Sequence, residues 1–361
     1  MKKITLFLLM ACVANQFPAK AQTTGEKMYA HVIDVGQGLS VLLEFPKGAV
    51  LIDAGAAPDR EVALITYLKN FFQRRPDLNN TLNSVFITHQ HIDHDIALDD
   101  LTRNFKILNY LDNGRRRVTI TEVNHIWMQD HYSQFGCKYE AITFDKIAAI
   151  PQHTDLTDDL IDAVGGTVDP KITVYSGAFV ARPTGWSDDT YNDPNNNSMV
   201  IKVTFGSASF LFSGDLEETG IAQVLNLYAG TNALKADVMQ VGHHGSRNAI
   251  TTQWISTIKP KYAFISCGHW DDGRLPNGKP KIYTTYAYAH PHIESVQILE
   301  DSLTATRPVA FTATVGTKGS YMGSIPQFTT KTIHKTYATP WDGTIVVTAT
   351  STGQYTFATH Q

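Results

Sequence analysis

Residues Thr88-His89-Gln90-His91-Ile92-Asp93-His94-Asp95 place three imidazoles and a carboxylate within six positions. All four side chains are good divalent-metal ligands, and a solvated polar loop has no reason to concentrate them. The apolar run Ser84 to Thr88 predicts a strand leading straight into them. His89 and His91 alternate, so on extended backbone they face one side. Asp93 and His94 fall where the chain turns towards a helix, which aims them at a second, neighbouring ion. Further on, Phe212-Ser213-Gly214-Asp215 and Val241-Gly242-His243-His244-Gly245-Ser246 each end an apolar strand in residues of the same kind. His290, in His290-Pro291-His292, adds another candidate imidazole.

The elements that must position these groups are short apolar strands ending in Gly-, Asp- and His-rich turns. His31 to Val35, Leu39 to Phe45 and Ala49 to Ile52 read as strands, the last stopping at Asp53-Ala54-Gly55. Arg60 to Phe72 carries Val62, Leu64, Ile65, Leu68, Phe71 and Phe72 at helical spacing and predicts a helix packed on a sheet. Ser198 to Phe205 and Ser209 to Phe212 read as a hairpin turning at Gly206, and Asp237 to Val241 and Lys261 to Ser266 as buried strands. The stretch from Asp112 to Asn197 is less regular, apart from strand-like alternation over Lys171 to Arg182. Beyond Pro308 the chain is Thr-rich, and Thr344 to Ala349 and Gln354 to Ala358 flank a turn, predicting an added β-hairpin layer or small β-domain.

With 361 residues, 43% of them hydrophobic and 18% charged, the chain has the profile of a folded globular protein rather than a disordered or collagen-like one. Lys2 and Lys3, the short apolar run Ile4 to Ala14 and Ala19-Lys20-Ala21 form a secretory-signal pattern. The expected divisions are a signal peptide over 1–21, a main domain over 22–305 and a β-rich extension over 306–361. Leu9-Met10-Ala11-Cys12 loosely resembles a lipobox, so the expected location is secreted or periplasmic, with lipid anchoring through Cys12 as the alternative. No stretch is long and apolar enough to predict a transmembrane helix. The formal net charge is −4, and removing residues 1–21 takes away three lysines and no acid, leaving −7. That balance argues against a protein that coats nucleic acid through bulk charge. Arg115, Arg116 and Arg117 cannot all face one way on a strand and read as a solvated loop. No aromatic-and-basic pattern typical of a single-strand groove is visible along the chain. Cys137 and Cys267 are either two buried thiols or one bridge; spacing does not choose between them.

The His89–His94 segment is the H-x-H-x-D-H signature of the metallo-β-lactamase superfamily. Together with Val32-Ile33-Asp34-Val35-Gly36-Gln37-Gly38, Leu51-Ile52-Asp53-Ala54-Gly55, Asn195-Asn196-Asn197-Ser198 and the Asp215 and His243-His244 motifs, it resembles the ComEC-type competence-protein branch. The resemblance covers roughly Tyr29 to Leu299. It implies an α/β fold, the αββα sandwich, with metals at one edge where strand ends converge. It implies that His89 and His91 serve one ion, Asp93 and His94 the other, and that Asp215 bridges both. Either His243 or His244 completes the set, with His243 preferred and His290 a further candidate. Asp53 steadies the His loop without binding metal.

Where many members supply a further His, this chain has the Asn195–Ser198 motif. An amide at Asn197 is a possible ligand or substrate contact, and a weaker one that leaves the choice between Zn²⁺ and Mn²⁺ open. The implied function is a secreted phosphodiesterase or nuclease that attacks with a metal-bound hydroxide, Asp93 orienting it and His244 protonating the leaving group. A hydrolase of a lactam, ester or small phosphodiester is the alternative. A non-catalytic binding protein would have no reason to keep the whole ligand set.

Overall fold

Val41, Leu43 and Phe45 point to one side of their strand and Leu42 to the other, and all four are fully buried. A strand buried on both faces needs a packed layer above and below it. The computed structural model describes residues 25–58, 60–116, 124–150, 156–320 and 324–360. The expected leader over 1–21, with Cys12, and Arg117 lie outside the described residues.

Among the described residues sixteen strands form. They are β1 (Lys27–Val32), β2 (Val41–Phe45), β3 (Gly48–Ile52), β4 (Thr81–Ile87), β5 (Lys106–Asp112), β6 (Lys138–Ala141), β7 (Pro170–Ser176) and β8 (Val200–Phe205), followed by β9 (Ala208–Phe212), β10 (Val238–Gln240), β11 (Tyr262–Ile265), β12 (Phe311–Lys318), β13 (Gln327–Ile333), β14 (Tyr337–Ala338), β15 (Thr344–Thr350) and β16 (Tyr355–His360). The first sheet has the order β16-β15-β1-β2-β3-β4-β5-β6 and the second β14-β11-β10-β9-β8-β7, while β12 and β13 pair only with each other.

One apolar core fills the space between the sheets, where Met28, Val32, Phe45 and Phe86 of the first meet Val203, Phe210, Phe212 and Phe264 of the second. A second core lies outside the first sheet. There helix α1 (Glu61–Arg74) lays Leu64, Leu68 and Phe71 onto Leu51, Val85 and Ile87. Val62, in the first turn of α1, stays exposed. On the outer side of the second sheet, the helices Glu218–Leu227, Thr252–Ile258 and Ile293–Ser302 bury Val224, Trp254 and Leu299. The result is the four-layer αββα sandwich.

The irregular middle supplies β6 and β7, each at a sheet edge with one strand neighbour. β7 is legible in the alternation from Lys171, whereas β6 has no fully buried residue and leaves no apolar pattern in the sequence. The Thr-rich tail continues the sandwich: β15 pairs antiparallel with β1 and carries β16 on its other side, and β14 extends the second sheet. Arg307 fixes the start of this segment by a bidentate pair with the buried Asp342 at 2.6 and 2.8 Å. Cys137 and Cys267 are free buried thiols in different cores.

Asp162 accepts a hydrogen bond from the Ile172 N–H at 3.2 Å, and burial pushes its carboxyl pKa up to about 6. The folded chain thus holds this proton to higher pH than the unfolded chain, and the group costs stability progressively as pH rises from about 4 through 6. Asp162→Asn keeps the acceptor oxygen and removes the ionisation. Its melting temperature relative to the parent is expected to be more favourable at about pH 7.5 than at about pH 4.5. The same difference at both pH values would count against this.

Candidate metal centre

The centre is assembled where strand ends of both sheets meet. β4 stops at Ile87, and the His segment runs into the one-turn helix α2 (Ile92–Asp95) with His91 as its extended cap residue. Asp53, just after β3, is fully buried and in the left-handed region at φ 58°. Its carboxylate accepts from the Thr88 N–H at 2.6 Å and the Thr88 hydroxyl at 2.8 Å, and lies 2.7 Å from His94 Nδ1. Those bonds fix the His94 ring and leave Nε2 as its inward atom. The Asp93 carbonyl accepts from the Leu39 N–H, and the backbone of Gly55 lies directly against it.

Asp215 reaches the same point from the end of β9 through Ser213-Gly214, its own N–H donating to Ser198 Oγ at 3.1 Å. His244 follows β10, and its Nδ1 lies 2.7 Å from the Ser266 carbonyl. Its Nε2 faces Asp93 Oδ2 at 3.2 Å and Asp215 Oδ2 at 3.3 Å, and His94 Nε2 faces the same Asp215 oxygen at 3.2 Å. One ligand atom from each of Asp93, His94, Asp215 and His244 lies within 4.8 Å of the others.

Burial works against the charged forms here, but opposite charges outweigh it. Asp215 and Asp93 push the His244 pKa up to about 10, and Asp215 and Asp53 hold His94 well above its usual value. His244 and His94 in turn keep Asp215 and Asp93 below the ordinary carboxylate range. Even so, His94 Nε2, His244 Nε2 and Asp215 Oδ1 are buried without a hydrogen-bond partner. Orphaned buried polar atoms are costly and rare, and a divalent cation would satisfy these nitrogen and oxygen donors together.

His89 and His91 stand beside this group, with His89 Nε2 3.1 Å from His91 Nδ1 and 3.9 Å from Asp215 Oδ2. Burial, with His94 and His91 nearby, keeps His89 neutral well below its usual pKa, the form in which imidazole binds metal.

Two expectations change. His244 takes the inward place expected of His243, whose Nδ1 lies 3.1 Å from Glu217 Oε1 on the cleft wall. Asn197 is not a ligand: its Oδ1 accepts from the Phe179 N–H and its Nδ2 donates to the Tyr191 and Asp193 carbonyls. His290 stands outside the four-residue group, stacked on His244 at 5.9 Å with Nδ1 3.4 Å from Gln37 Nε2.

Sequence reasoning missed Asn195 and Glu217. Asn195 lines the cleft with a buried, unpartnered Oδ1 and donates from Nδ2 to Glu217 Oε1 at 3.0 Å. The Asn run was visible, but which of its amides faces the site was not. Asn195, with His91, Gln37, Tyr283 and Tyr288, lines a cleft of about 490 Å³ that Asp93, Asp215 and His244 also line.

This fold and this cluster define a metal-dependent hydrolase, and residues 33–269 match the metallo-beta-lactamase superfamily as a whole: the chain belongs to it. Among its relatives, ComE operon protein 3 of Bacillus subtilis (strain 168) is 35% identical over 106 residues, which is 29% of this chain and 11% of that protein. Competence protein ComA of Neisseria gonorrhoeae is 23% identical over 238 residues, 66% of this chain and 27% of that protein. The chain therefore spans less than a third of the length of these relatives. A solved neighbour is Igni18, a metallo hydrolase from the archaeon Ignicoccus hospitalis KIN4/I, 11% identical with a TM-score of 0.41 over 84% of this chain and 98% of that one. Among the described residues no helix is long and apolar enough to cross a membrane.

Proposed function

We propose that this hydrolase is a secreted phosphodiesterase that cleaves nucleic acid with two divalent ions, Zn²⁺ or Mn²⁺. The observation that carries the reading is the buried, unsatisfied set His94 Nε2, His244 Nε2 and Asp215 Oδ1, next to a cleft that Asp93, Asp215 and His244 line. Asp93, His94, Asp215 and His244 would hold one ion. His89, His91 and the unpartnered oxygen of Asp215 would hold the other. Bound ions would supply Lewis acidity, acidifying a water and polarising the phosphoryl oxygens.

The chain's own groups do the rest. Asp53 fixes the His94 ring, and the Ser266 carbonyl fixes His244. Asp93 directs a carboxylate oxygen into the cleft floor. Glu217 holds His243 at Nδ1 and raises its pKa against the effect of burial, so the ring carries a proton beside the cleft. His243 therefore takes the leaving-group protonation first assigned to His244, whose Nδ1 meets the Ser266 carbonyl and whose Nε2 would hold the ion. Asn195 lines the cleft and donates from Nδ2 to the same Glu217 carboxylate. A competence protein among the relatives favours nucleic acid over a lactam or thioester, and the leader pattern of residues 1–21 supports secretion.

The test is cleavage of end-labelled single- and double-stranded DNA by metal-stripped protein given back Mn²⁺ or Zn²⁺, with Asp93→Ala in parallel. Cleavage is expected to require added ion and to vanish in the variant. If ions bind and no phosphodiester is cut, the reading fails, and lactams and esters become the substrates to assay.

A further inference from the structure

The segment between β11 and the helix Ile293–Ser302 carries an unusual concentration of exposed apolar and aromatic side chains at the cleft mouth. Leu275, Ile282, Tyr283 and Tyr288 are all exposed, and both tyrosines line the cleft that holds Asp93 and Asp215. Tyr283 stands in the left-handed region at φ 59°. A bulky side chain there is a steric outlier, and such strain persists where the surroundings impose it, often at ligand clamps. Tyr288 stacks on His290 at 5.3 Å and 23° and lines the cleft.

A second, smaller cleft of about 200 Å³ adjoins the first, sharing Gln37 and Pro58 as a common wall, and is lined by Arg60 and Lys281. Arg60 lies between Asp34 at 3.7 Å and Asp272 at 3.9 Å. Lys281 is exposed and forms no ion pair among the described residues.

The segment is held rigidly. Thr285 Oγ1 donates to Gln37 Oε1 at 3.0 Å, and Tyr286 stacks on Phe328 of β13 at 5.5 Å. Gly316 of β12 packs directly on the Ala289 carbonyl and donates its N–H to the Pro291 carbonyl. The β12–β13 hairpin is thus the brace behind the cleft rim.

We propose that Tyr283, Tyr288 and Lys281 form a docking strip for the unpaired nucleotides beside the scissile bond, so that the substrate is a single-stranded polynucleotide. This rests on the phosphodiesterase reading above. Two aromatic rings in one cleft offer stacking to a base whose own faces are free, which a base inside a duplex does not have. One unpaired lysine, in a cleft that Asp272 also lines, makes the phosphate contribution small, so stacking dominates and the salt dependence is shallow. Lys281, Tyr283 and Tyr288 lie within eight positions, so this aromatic-and-basic run is present in the sequence itself, and folding supplies its place at the cleft.

The test is anisotropy of a fluorescein-labelled 12-residue oligothymidylate titrated with the whole protein in EDTA, where cleavage plays no part. The single strand is expected to bind at least about tenfold tighter than a 12-base-pair duplex. Tyr283→Gly is expected to weaken it by about 5- to 100-fold, and Tyr283→Phe to leave it unchanged. Glycine accepts the φ of this position, so loss of binding in that variant is not loss of fold. Lys281→Ala is expected to flatten the slope of log affinity against log salt by about 0.7. No single-strand binding, equal binding of the duplex, or an unchanged Tyr283→Gly protein would overturn the strip. Turnover of bis(4-nitrophenyl) phosphate separates the two readings. Turnover without Tyr283-dependent binding sinks the strip alone, whereas strand-selective binding without turnover sinks only the hydrolytic reading.

Discussion

Asp215→Asn is expected to lower kcat/KM by about 10³-fold or more, because it removes the one carboxylate shared by both candidate ion sites. Losing a metal's stabilisation of developing charge costs several kcal/mol, and each 1.36 kcal/mol is a factor of ten. In this structure one Asp215 oxygen faces His94 at 3.2 Å and His244 at 3.3 Å, and the other is buried and unpartnered. An amide keeps the shape and the backbone bond to Ser198, so the Gly214 turn should form as before. It removes the charge and turns one oxygen into a donor that repels a cation. Bound metal after dialysis, measured by elemental analysis, should fall in step with activity. A variant that retains full metal and activity within tenfold would remove Asp215 from the centre.

Gly55→Ala is the substitution expected to cost most stability. A Cβ there would meet the Asp93 carbonyl oxygen at 1.6 Å, its carbon at 2.2 Å and the His94 Cα at 2.7 Å. All three are backbone atoms, so no side-chain rotation relieves the clash. The Asp93–His94 turn must move, and with it the two ligand-type side chains and the bonds from Leu39 and Ala54 that pin them. A loss of at least about 3 kcal/mol is expected, read as a fall of roughly 1 M in the urea midpoint. Gly165→Ala is the control, since its Cβ would meet only Asp169 Oδ1 at 3.9 Å. A Gly55→Ala protein with the parent midpoint would show that the two segments do not approach as described.

The elements that build the floor of the site are legible in the chain because each is local. His89, His91, Asp93 and His94 share one strand end, Asp53 and Asp215 each close an apolar run, and the apolar runs of β3, β4 and β9 give the strands that carry them. The orientation of adjacent residues is not local. His243 and His244 both have positive φ, at 45° and 53°. Which ring enters the cluster depends on where Glu217 and the Ser266 carbonyl stand to receive each Nδ1. The same holds for the Asn run, where Asn197 is spent on the backbone of residues 179–193 and Asn195 is left facing the cleft.

The tail shows the limit most clearly. Its strand alternation is readable, but that β15 lies beside β1, and that Phe328 supports Tyr286, are pairings across sequence separations no periodicity encodes. The sequence by itself determined the metal-binding chemistry and the strands and helix that carry it, because ligand spacing and apolar period are properties of neighbouring residues, while the layered sandwich was implied by the family resemblance. The tertiary structure decided which imidazole turns inward, what braces the rim and which side chains line the cleft, because those depend on packing between segments far apart in the chain.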